Sequence, residues 1–382
     1  MDILGSVWHA GGFLLGYLVP FLFVLTIVVF VHELGHFLVG RWCGVDVKTF
    51  SIGFGRELFG FNDRHGTRWR FALIPLGGYV KFSGDADASS TPDGEAVASM
   101  SPEERARSFP AQSVGERTAI VAAGPIANFL LAIAIFAGTA YSFGKPVLAP
   151  RVDVITPGGA AERAGIKAGD LIRKVDDREI KSFADLQRLI SIRPGESLPL
   201  TLERDGATML LTVTPDLVET ASALGKQRLG IIGVQASSKP GDWTTQHFTL
   251  LESLRLGVSE TWFVVERTYD YIAKLIKGKE STDQLSGPIR IAQVSGMVAS
   301  SGGLLALINL AAILSVSIGL MNLFPVPMLD GGHLMFYAVE AARGRPLSER
   351  AQEIGFRVGL GLVLMLMLFV TWNDLVHVRS LL

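Results

Sequence analysis

Long apolar stretches constrain the fold of this chain more than any other feature of its sequence. No Lys, Arg, Asp or Glu occurs between Asp2 and Glu33, and none occurs from Ile291 to Leu329. A helix of about 20 apolar residues crosses the hydrocarbon core of a bilayer. The sequence therefore predicts four transmembrane helices, at residues of about 11–37, 118–143, 304–324 and 354–372.

Composition narrows the class further. Hydrophobic residues make up 49% of the 382 residues and charged residues only 19%, as in membrane proteins. The net charge of −1 gives no basic field that would attract nucleic acid, so no nucleic-acid partner is expected. Cys43 is the single cysteine, which excludes internal disulfides and multi-cysteine metal sites. The first stretch lacks a basic leader and is too long for the core of a signal peptide, so it is interpreted as a retained span.

Basic residues are distributed unevenly around the four spans. None precedes the first span, whereas the loop after it is rich in Arg and Lys, and the short loop between spans three and four contains Arg343, Arg345 and Arg350. Because loops rich in Lys and Arg stay in the cytoplasm, both of these loops are expected there. Both chain termini and the region between spans two and three are then extracytoplasmic.

The sequence divides into four regions. Residues 1–150 form the N-terminal half of a membrane core, with strand-like residues at 48–82 and a polar, flexible loop at 83–104. Residues 151–218 have the composition of a compact domain, with a hairpin signal at Asp205–Gly206. Residues 219–303 form an extracytoplasmic linker, whose segment 249–277 is predicted to be an amphipathic helix on the membrane surface. Residues 304–382 complete the membrane core.

The first span contains the sequence His-Glu-Leu-Gly-His, at residues 32–36. His32 and His36 lie four residues apart and therefore on one face of a helix, where two imidazoles can bind one metal ion. Glu33 does not share that face, and it is placed to take a proton from a water molecule that the metal activates. Ionisable residues inside a membrane span are costly and mark function by default.

Asp330 is the best candidate for a third ligand, which a catalytic zinc site requires. It lies in Asn-Leu-Phe-Pro-Val-Pro-Met-Leu-Asp-Gly-Gly, at residues 322–332, where two prolines end the third span and two glycines allow a tight turn. The predicted topology places the histidine pair and Asp330 near the cytoplasmic ends of spans one and three. The histidines and the carboxylate are thus expected at the same membrane depth.

Two resemblances follow from these motifs. The segment ITPGGAAERAGIKAGDLIRKV within 151–218 resembles a PDZ domain. The order HELGH, GPIAN, PDZ-like insert, LSGPIRIA and NLFPVPMLDGG resembles the site-2 protease family of intramembrane zinc metalloproteases, and within it the bacterial RseP-like branch. The expected fold class is an α-helical polytopic membrane protein with four transmembrane helices and an inserted α+β PDZ-like domain.

The resemblance implies a function and assigns residues to it. His32, His36 and Asp330 would bind Zn²⁺, and Glu33 would be the general base. Asn322 would steady the oxyanion or hold the substrate, while Pro325 and Pro327 would handle substrate. The strand-like region at 77–82 matches a family hairpin that dips toward the membrane and pairs with unwound substrate. Substrates would be single-span membrane proteins, such as a pre-cleaved anti-sigma factor or remnant signal peptides, cut by regulated intramembrane proteolysis in the bacterial inner membrane.

Some assignments stay open. Many RseP-like proteins have two PDZ units and this chain has one, so the domain could bind substrate, gate it, or act as a spacer. The sequence does not decide whether Asn128, Ser317 or His333 contributes to the site; for Asn128, packing between spans is the favoured role. Two other classes of function are a membrane adaptor that binds partners through the PDZ-like domain, and a metal transporter.

Overall fold

The computed structural model describes residues 3–85, 94–191, 193–222, 225–237, 239–278 and 285–381. The chain divides into two compact units, one of residues 1–139 and 250–382 and the other of residues 140–249. In the first unit the elements are α1 (Ile3–Trp42), β1 (Val47–Asn62), β2 (Arg68–Phe82), α2 (Gly94–Ser99), α3 (Pro102–Ala106), α4 (Val114–Phe143), α7 (Leu250–Ile276), α8 (Pro288–Asn322), α9 (Asp330–Arg343) and α10 (Glu349–Leu381).

Four helices of this unit are long and apolar enough to span a membrane, which confirms the predicted number within the described residues. Their spanning segments are Leu15–Trp42, Val114–Phe143, Pro288–Asn322 and Arg350–Val376. The third begins earlier than the predicted residue 304. Helix α8 has a kink at Gly303, whose φ of 63° is not helical, and an additional helical segment precedes this kink.

The spanning helices pack through small and aliphatic side chains. Val24 and Val28 of α1 contact Leu307 and Ala311 of α8. Ala132 of α4 lies in a second cluster with residues of α8 and α7. Helix α7, which the sequence predicted, lies along the C-terminal half of α4: a Cβ atom on Gly257 would be 2.6 Å from the Ile133 carbonyl oxygen. Close approach of helix backbones through small residues is typical of packing in membranes.

Helix α10 contacts α8 at its start and also contacts the turn that follows the end of α8. The Asp374 carboxylate accepts hydrogen bonds from the amides of Gly287, Ile289 and Arg290 at 2.9–3.1 Å, and so satisfies amides at the start of α8. A Cβ atom on Gly359 would lie 2.0 Å from the Pro327 carbonyl oxygen. Helix α10 therefore contacts the turn that follows α8 as well as the start of α8.

Strands β1 and β2 form one irregular sheet between α1 and α4 in the chain. Residues 49–52 have two sets of partners in β2, one at 68–71 and one at 78–81. The inner face is aromatic: Phe50 is fully buried and stacks on Trp69 with ring centroids 4.2 Å apart. The outer surface also keeps large apolar side chains exposed, namely Phe54, Leu58, Phe59, Phe61, Leu73 and Ile74.

The polar segment 83–104 differs in part from the predicted flexible loop. Ser101 and Glu104 form a capping box that starts helix α3, and α2 precedes it. Such reciprocal bonds satisfy amides that a helix start leaves free, so this short helix forms despite its polar composition. Residues 86–93 of the predicted loop lie outside the described residues.

The second unit is an α+β PDZ-like domain. Its elements are β3 (Lys145–Leu148), β4 (Val152–Ile155), α5 (Ala160–Arg163), β5 (Leu171–Val175), β6 (Arg178–Glu179), α6 (Phe183–Ser191), β7 (Leu198–Arg204), β8 (Ala207–Val213), β9 (Asp216–Ser222), β10 (Gly225–Ile231), β11 (Val234–Ala236) and β12 (Trp243–Gln246). The main sheet has the order β6-β5-β7-β8, and Asp205 and Gly206 turn β7 into β8 with positive φ angles, as the hairpin signal predicted. Strand β11 pairs with β4, so the unit includes residues beyond 151–218.

Candidate metal centre

Helix α1 places two histidines side by side. His32 and His36 lie one turn apart, and their Nε2 atoms are 3.3 Å apart. Gly35, between them in the sequence, faces α4 so closely that a Cβ atom there would lie 2.3 Å from the Ala123 carbonyl oxygen. The absence of a side chain at residue 35 therefore lets the histidine pair approach α4.

A tight turn brings Asp330 to the histidines. Helix α8 ends at Asn322, three residues before the first proline, as predicted, and α9 begins at Asp330. A Cβ atom on Gly331 would lie 2.2 Å from the Phe324 carbonyl oxygen, so only glycine fits there. Met328 lies in the same turn with a φ of 86°, a conformation that L-residues with long side chains rarely adopt.

The three predicted ligands converge. Nε2 of His32 is 3.2 Å from Oδ2 of Asp330, and Nε2 of His36 is 3.6 Å from Oδ1. Ligands about 2.0–2.1 Å from a tetrahedral zinc ion lie about 3.3 Å from one another, so these separations suit zinc. The side chains are 10%, 12% and 17% exposed.

Chemistry as well as distance fits a cation here. Within the portion of the chain that the structure describes, Oδ2 of Asp330 is buried and makes no hydrogen bond of good geometry; the Nε2 atom of His32, 3.2 Å away, is itself a candidate ligand. A buried carboxylate oxygen without a donor is costly, and a metal ion would satisfy it. Among the described residues, these three side chains form a group that could hold a metal ion, with candidate ligand atoms all within 4.8 Å of one another.

Helix α4 lies directly behind the histidines. The Ile120 carbonyl oxygen is 2.9 Å from Nδ1 of His36, and the amide nitrogen of Asn128 is 3.3 Å from Nδ1 of His32. Between them, a Cβ atom on Gly124 would lie 2.3 Å from Nε2 of His36. Sequence reasoning missed Ile120 and Gly124, although GPIAN places Gly124 and Asn128 four residues apart on one helix face.

The three candidate ligands line a cavity of about 520 Å³. Glu33 and Asn322 line it, together with Gly77–Val80 of β2. The Val80 amide donates a hydrogen bond to the Glu33 carboxylate, which links the proposed base to the sheet. The cavity therefore places a carboxylate, an amide and a strand segment around the three candidate ligands.

The other residues singled out from the sequence take different places. His333 is buried and lines the cavity, but it lies outside the group of three candidate ligands. The Ser317 hydroxyl donates to the Ile313 carbonyl oxygen of its own helix. Pro325 is exposed, and Pro327 packs against α10; neither is among the described residues that line the cavity.

Comparison with known proteins decides the family. The model of peptidase family M50 matches residues 20–366, nearly the whole chain. The chain belongs to peptidase family M50. Its relatives include a protein of Rhizobium meliloti, 50% identical over 94% of this chain and 97% of that protein, and one of Agrobacterium fabrum, 48% identical over 97% and 99%; both have provisional names as zinc metalloproteases. The metalloprotease MmpA of Caulobacter vibrioides is 42% identical over 95% and 96%.

Membership of family M50 identifies the enzymatic activity of the chain and agrees with its architecture as a membrane protein. It is a zinc metalloprotease with four membrane-spanning helices and a PDZ-like domain. The adaptor and metal-transporter alternatives are thereby set aside. Zinc agrees with the His-His-Asp group, which offers two imidazoles and a carboxylate.

Proposed function

We propose that this M50 peptidase hydrolyses peptide bonds within the membrane-spanning segments of other proteins, at the cavity lined by His32, Glu33, His36 and Asp330. The observation that carries this proposal is the position of three converging ligand atoms at a cavity between spanning helices. His36 lies six residues before the end of the first span at Trp42. Polar groups at such depth are tolerated where they line a cavity or are buried in protein.

Zinc would polarise the reacting groups, and Glu33 would transfer the proton. His32, His36 and Asp330 would hold Zn²⁺, which when bound supplies a Lewis acid that polarises water and the substrate carbonyl. Glu33 accepts a proton from the attacking water and returns it to the leaving amine. The hydrogen bond from the Val80 amide supports this role because it orients the Glu33 carboxylate at the cavity wall.

Asn322 is proposed to act on the substrate carbonyl. It ends α8 and lines the cavity, so its side-chain amide can donate a hydrogen bond to the carbonyl oxygen as negative charge develops. Pro325 and Pro327 are proposed to guide the substrate backbone from the turn that follows α8. These three assignments derive from the family resemblance; Asn322 also lines the cavity, whereas the two prolines lie in the turn before Asp330.

The substrate must become extended before it can be cut. A helix hides each carbonyl in its own hydrogen-bond ladder, whereas an extended segment exposes it. The segment Gly77–Val80 of β2 lines the cavity and can accept such a strand by β-augmentation. We therefore propose that substrates rich in helix-weakening residues are cut fastest.

The proposed substrates are single-span membrane proteins already shortened by another protease, such as an anti-sigma factor, and remnant signal peptides. The PDZ-like domain would bind substrates or exclude those with bulky outer domains. The proposed location is the bacterial inner membrane, with both termini and the PDZ-like domain on the extracytoplasmic side. The arginine-rich loops after spans one and three support this orientation.

The position of the cut tests this proposal. The full-length protein is reconstituted in lipid vesicles with a tagged single-span substrate that has a short outer domain, and the masses of both products are measured. We expect a cut inside the apolar segment, lost on chelation and restored by Zn²⁺. A cut confined to residues outside the apolar segment, or cleavage indifferent to chelation, would contradict the proposal.

A further inference from the structure

One face of α4 supports both histidine ligands. Ile120, Gly124 and Asn128 are spaced by four residues and therefore lie along one stripe of the helix. The Ile120 carbonyl oxygen accepts a hydrogen bond from Nδ1 of His36 at 2.9 Å, which leaves Nε2 of that ring free for a metal. A backbone carbonyl can only accept, so this contact fixes which ring nitrogen carries the proton.

The contact of His32 on the same stripe is made by Asn128. Its side chain is fully buried, and its Nδ2 atom lies 3.3 Å from Nδ1 of His32. Among the described residues, the Oδ1 atom of Asn128 is buried without a hydrogen-bond partner. A rotation of the amide by 180° exchanges two atoms of nearly equal size and brings Oδ1 to His32.

Metal binding distinguishes the two orientations of the amide. With Nδ2 as donor, Nδ1 of His32 must accept, and the ring proton must lie on Nε2, the atom that faces Asp330 and His36. A protonated Nε2 offers no lone pair to a metal. With Oδ1 as acceptor, the proton lies on Nδ1 and Nε2 becomes a ligand.

We propose that Asn128 is a positioning residue, whose side-chain oxygen accepts the Nδ1 hydrogen of His32 and so aims Nε2 of that ring at the metal. This inference rests on the proposed function, because it assumes that His32 is a ligand. The role is the side-chain counterpart of the Ile120 carbonyl behind His36. Partners of this kind fix the tautomer and the orientation of ligand histidines.

A packing role for Asn128 is the competing explanation. The Ser315 hydroxyl of α8 donates to the Asn128 backbone carbonyl at 2.8 Å, and a Cβ atom on Gly319 would be 3.1 Å from Cβ of Asn128. These contacts join α4 to α8 without involving the side-chain amide. The two roles therefore respond differently to substitution of the amide alone.

Zinc retention separates the two roles. Full-length wild type, Asn128→Leu, Asn128→Asp and Ser315→Ala are purified in detergent, and bound zinc is measured against graded concentrations of a chelator. Positioning predicts that Asn128→Leu loses zinc at about 10- to 100-fold lower chelator concentration. Asn128→Asp should stay close to wild type because a carboxylate oxygen accepts the same hydrogen bond, and Ser315→Ala should match wild type. Packing predicts the opposite order, with Leu tolerated and a buried Asp disruptive.

Each outcome decides the inference. Wild-type zinc retention by Asn128→Leu, or equal losses in Asn128→Leu and Asn128→Asp, would overturn it. If Asn128→Leu does not give folded protein, Asn128→Ala takes its place with the same expected loss. A wild type that binds no zinc would overturn the proposed function and this inference together. If wild type binds zinc and Asn128→Leu retains it equally well, this inference is overturned and the proposed function is not.

Discussion

Arg117 of α4 and Glu340 of α9 form a two-point ion pair that joins the two helices. The two guanidinium Nη atoms lie 3.2 and 2.7 Å from the two carboxylate oxygens, and the side chains are 15% and 13% exposed. Helix α4 supports the histidines, and α9 begins with Asp330. This pair therefore fixes the two halves of the ligand group relative to each other.

We expect Glu340→Ala to lower the free energy of unfolding by about 3 kcal/mol, because it leaves a largely buried guanidinium without its partner. Zinc retention should fall as well, since α9 loses its link to α4. Denaturant unfolding in detergent measures the first effect. Glu203→Ala is the control: its pair with Arg173 is exposed on both sides and should contribute about 1 kcal/mol or less. Equal losses in the two variants would contradict this explanation.

Gly124→Ala tests the packing of α4 against the histidines. The added methyl group would lie 2.3 Å from Nε2 of His36 and 2.9 Å from Cε1 of His32, so both rings must move. We expect zinc affinity to fall at least about tenfold, the size of effect seen when the support of ligands is disturbed. Gly138→Ala, in the same helix but with no described atom within 4 Å of its Cβ position, should leave zinc affinity unchanged. Chelator titration of both variants measures the difference.

The sequence was sufficient to predict the three residues whose candidate ligand atoms converge in the structure. His32 and His36 stand out because charge-free spans make intramembrane polar residues conspicuous, and Asp330 stands out among prolines and glycines. It could not reveal Ile120, since that residue contributes a backbone carbonyl that any amino acid has. The capping box at Ser101 was a readable signal, but the acidic composition around it favoured a loop. The kink at Gly303 lies at a Gly-Gly pair, and the helical segment before it was not predicted because its residues 288–303 are less uniformly apolar than those that follow.

The turn before Asp330 contains a strained residue. Met328 has a φ of 86°, where a branched Cβ is disfavoured most. We expect Met328→Val to lower the free energy of unfolding by about 1–2 kcal/mol, whereas Met328→Gly should not destabilise the protein. Met321→Val, in the regular part of α8, is the matched control and should cost about 0.5 kcal/mol. A Met328→Val variant as stable as the control would show that this turn is not strained.

The PDZ-like domain should depend on pH through Asp170. Burial opposes ionisation of this carboxyl, but hydrogen bonds from Arg204 and the Lys167 amide outweigh burial and lower its pKa below the ordinary value. A lowered pKa in the folded state stabilises the domain above the unfolded pKa of about 3.9, and this contribution is lost as pH falls through the folded pKa.

Hydrogen exchange of the intact protein, corrected for the intrinsic effect of pH, measures this dependence in β5 and β7. We expect protection to decrease below about pH 4 in the wild type, in line with the unfolded pKa of aspartate. Asp170→Asn should be less protected at neutral pH and should lose the acid-dependent component of the change. Asp216→Asn removes an exposed ion pair with Arg163 and should behave like the wild type.

The most direct test of the central claim compares wild type with Glu33→Gln on one substrate. The substrate is a tagged single-span protein with a truncated outer domain, and cleavage and bound zinc are measured in the same detergent preparation. We expect Glu33→Gln to keep its zinc, because Glu33 is not among the three ligands, and to lose at least about 100-fold in cleavage rate, as befits removal of a general base. Equal cleavage by the two proteins, with zinc bound in both, would contradict the proposed role of Glu33 and the mechanism built on it.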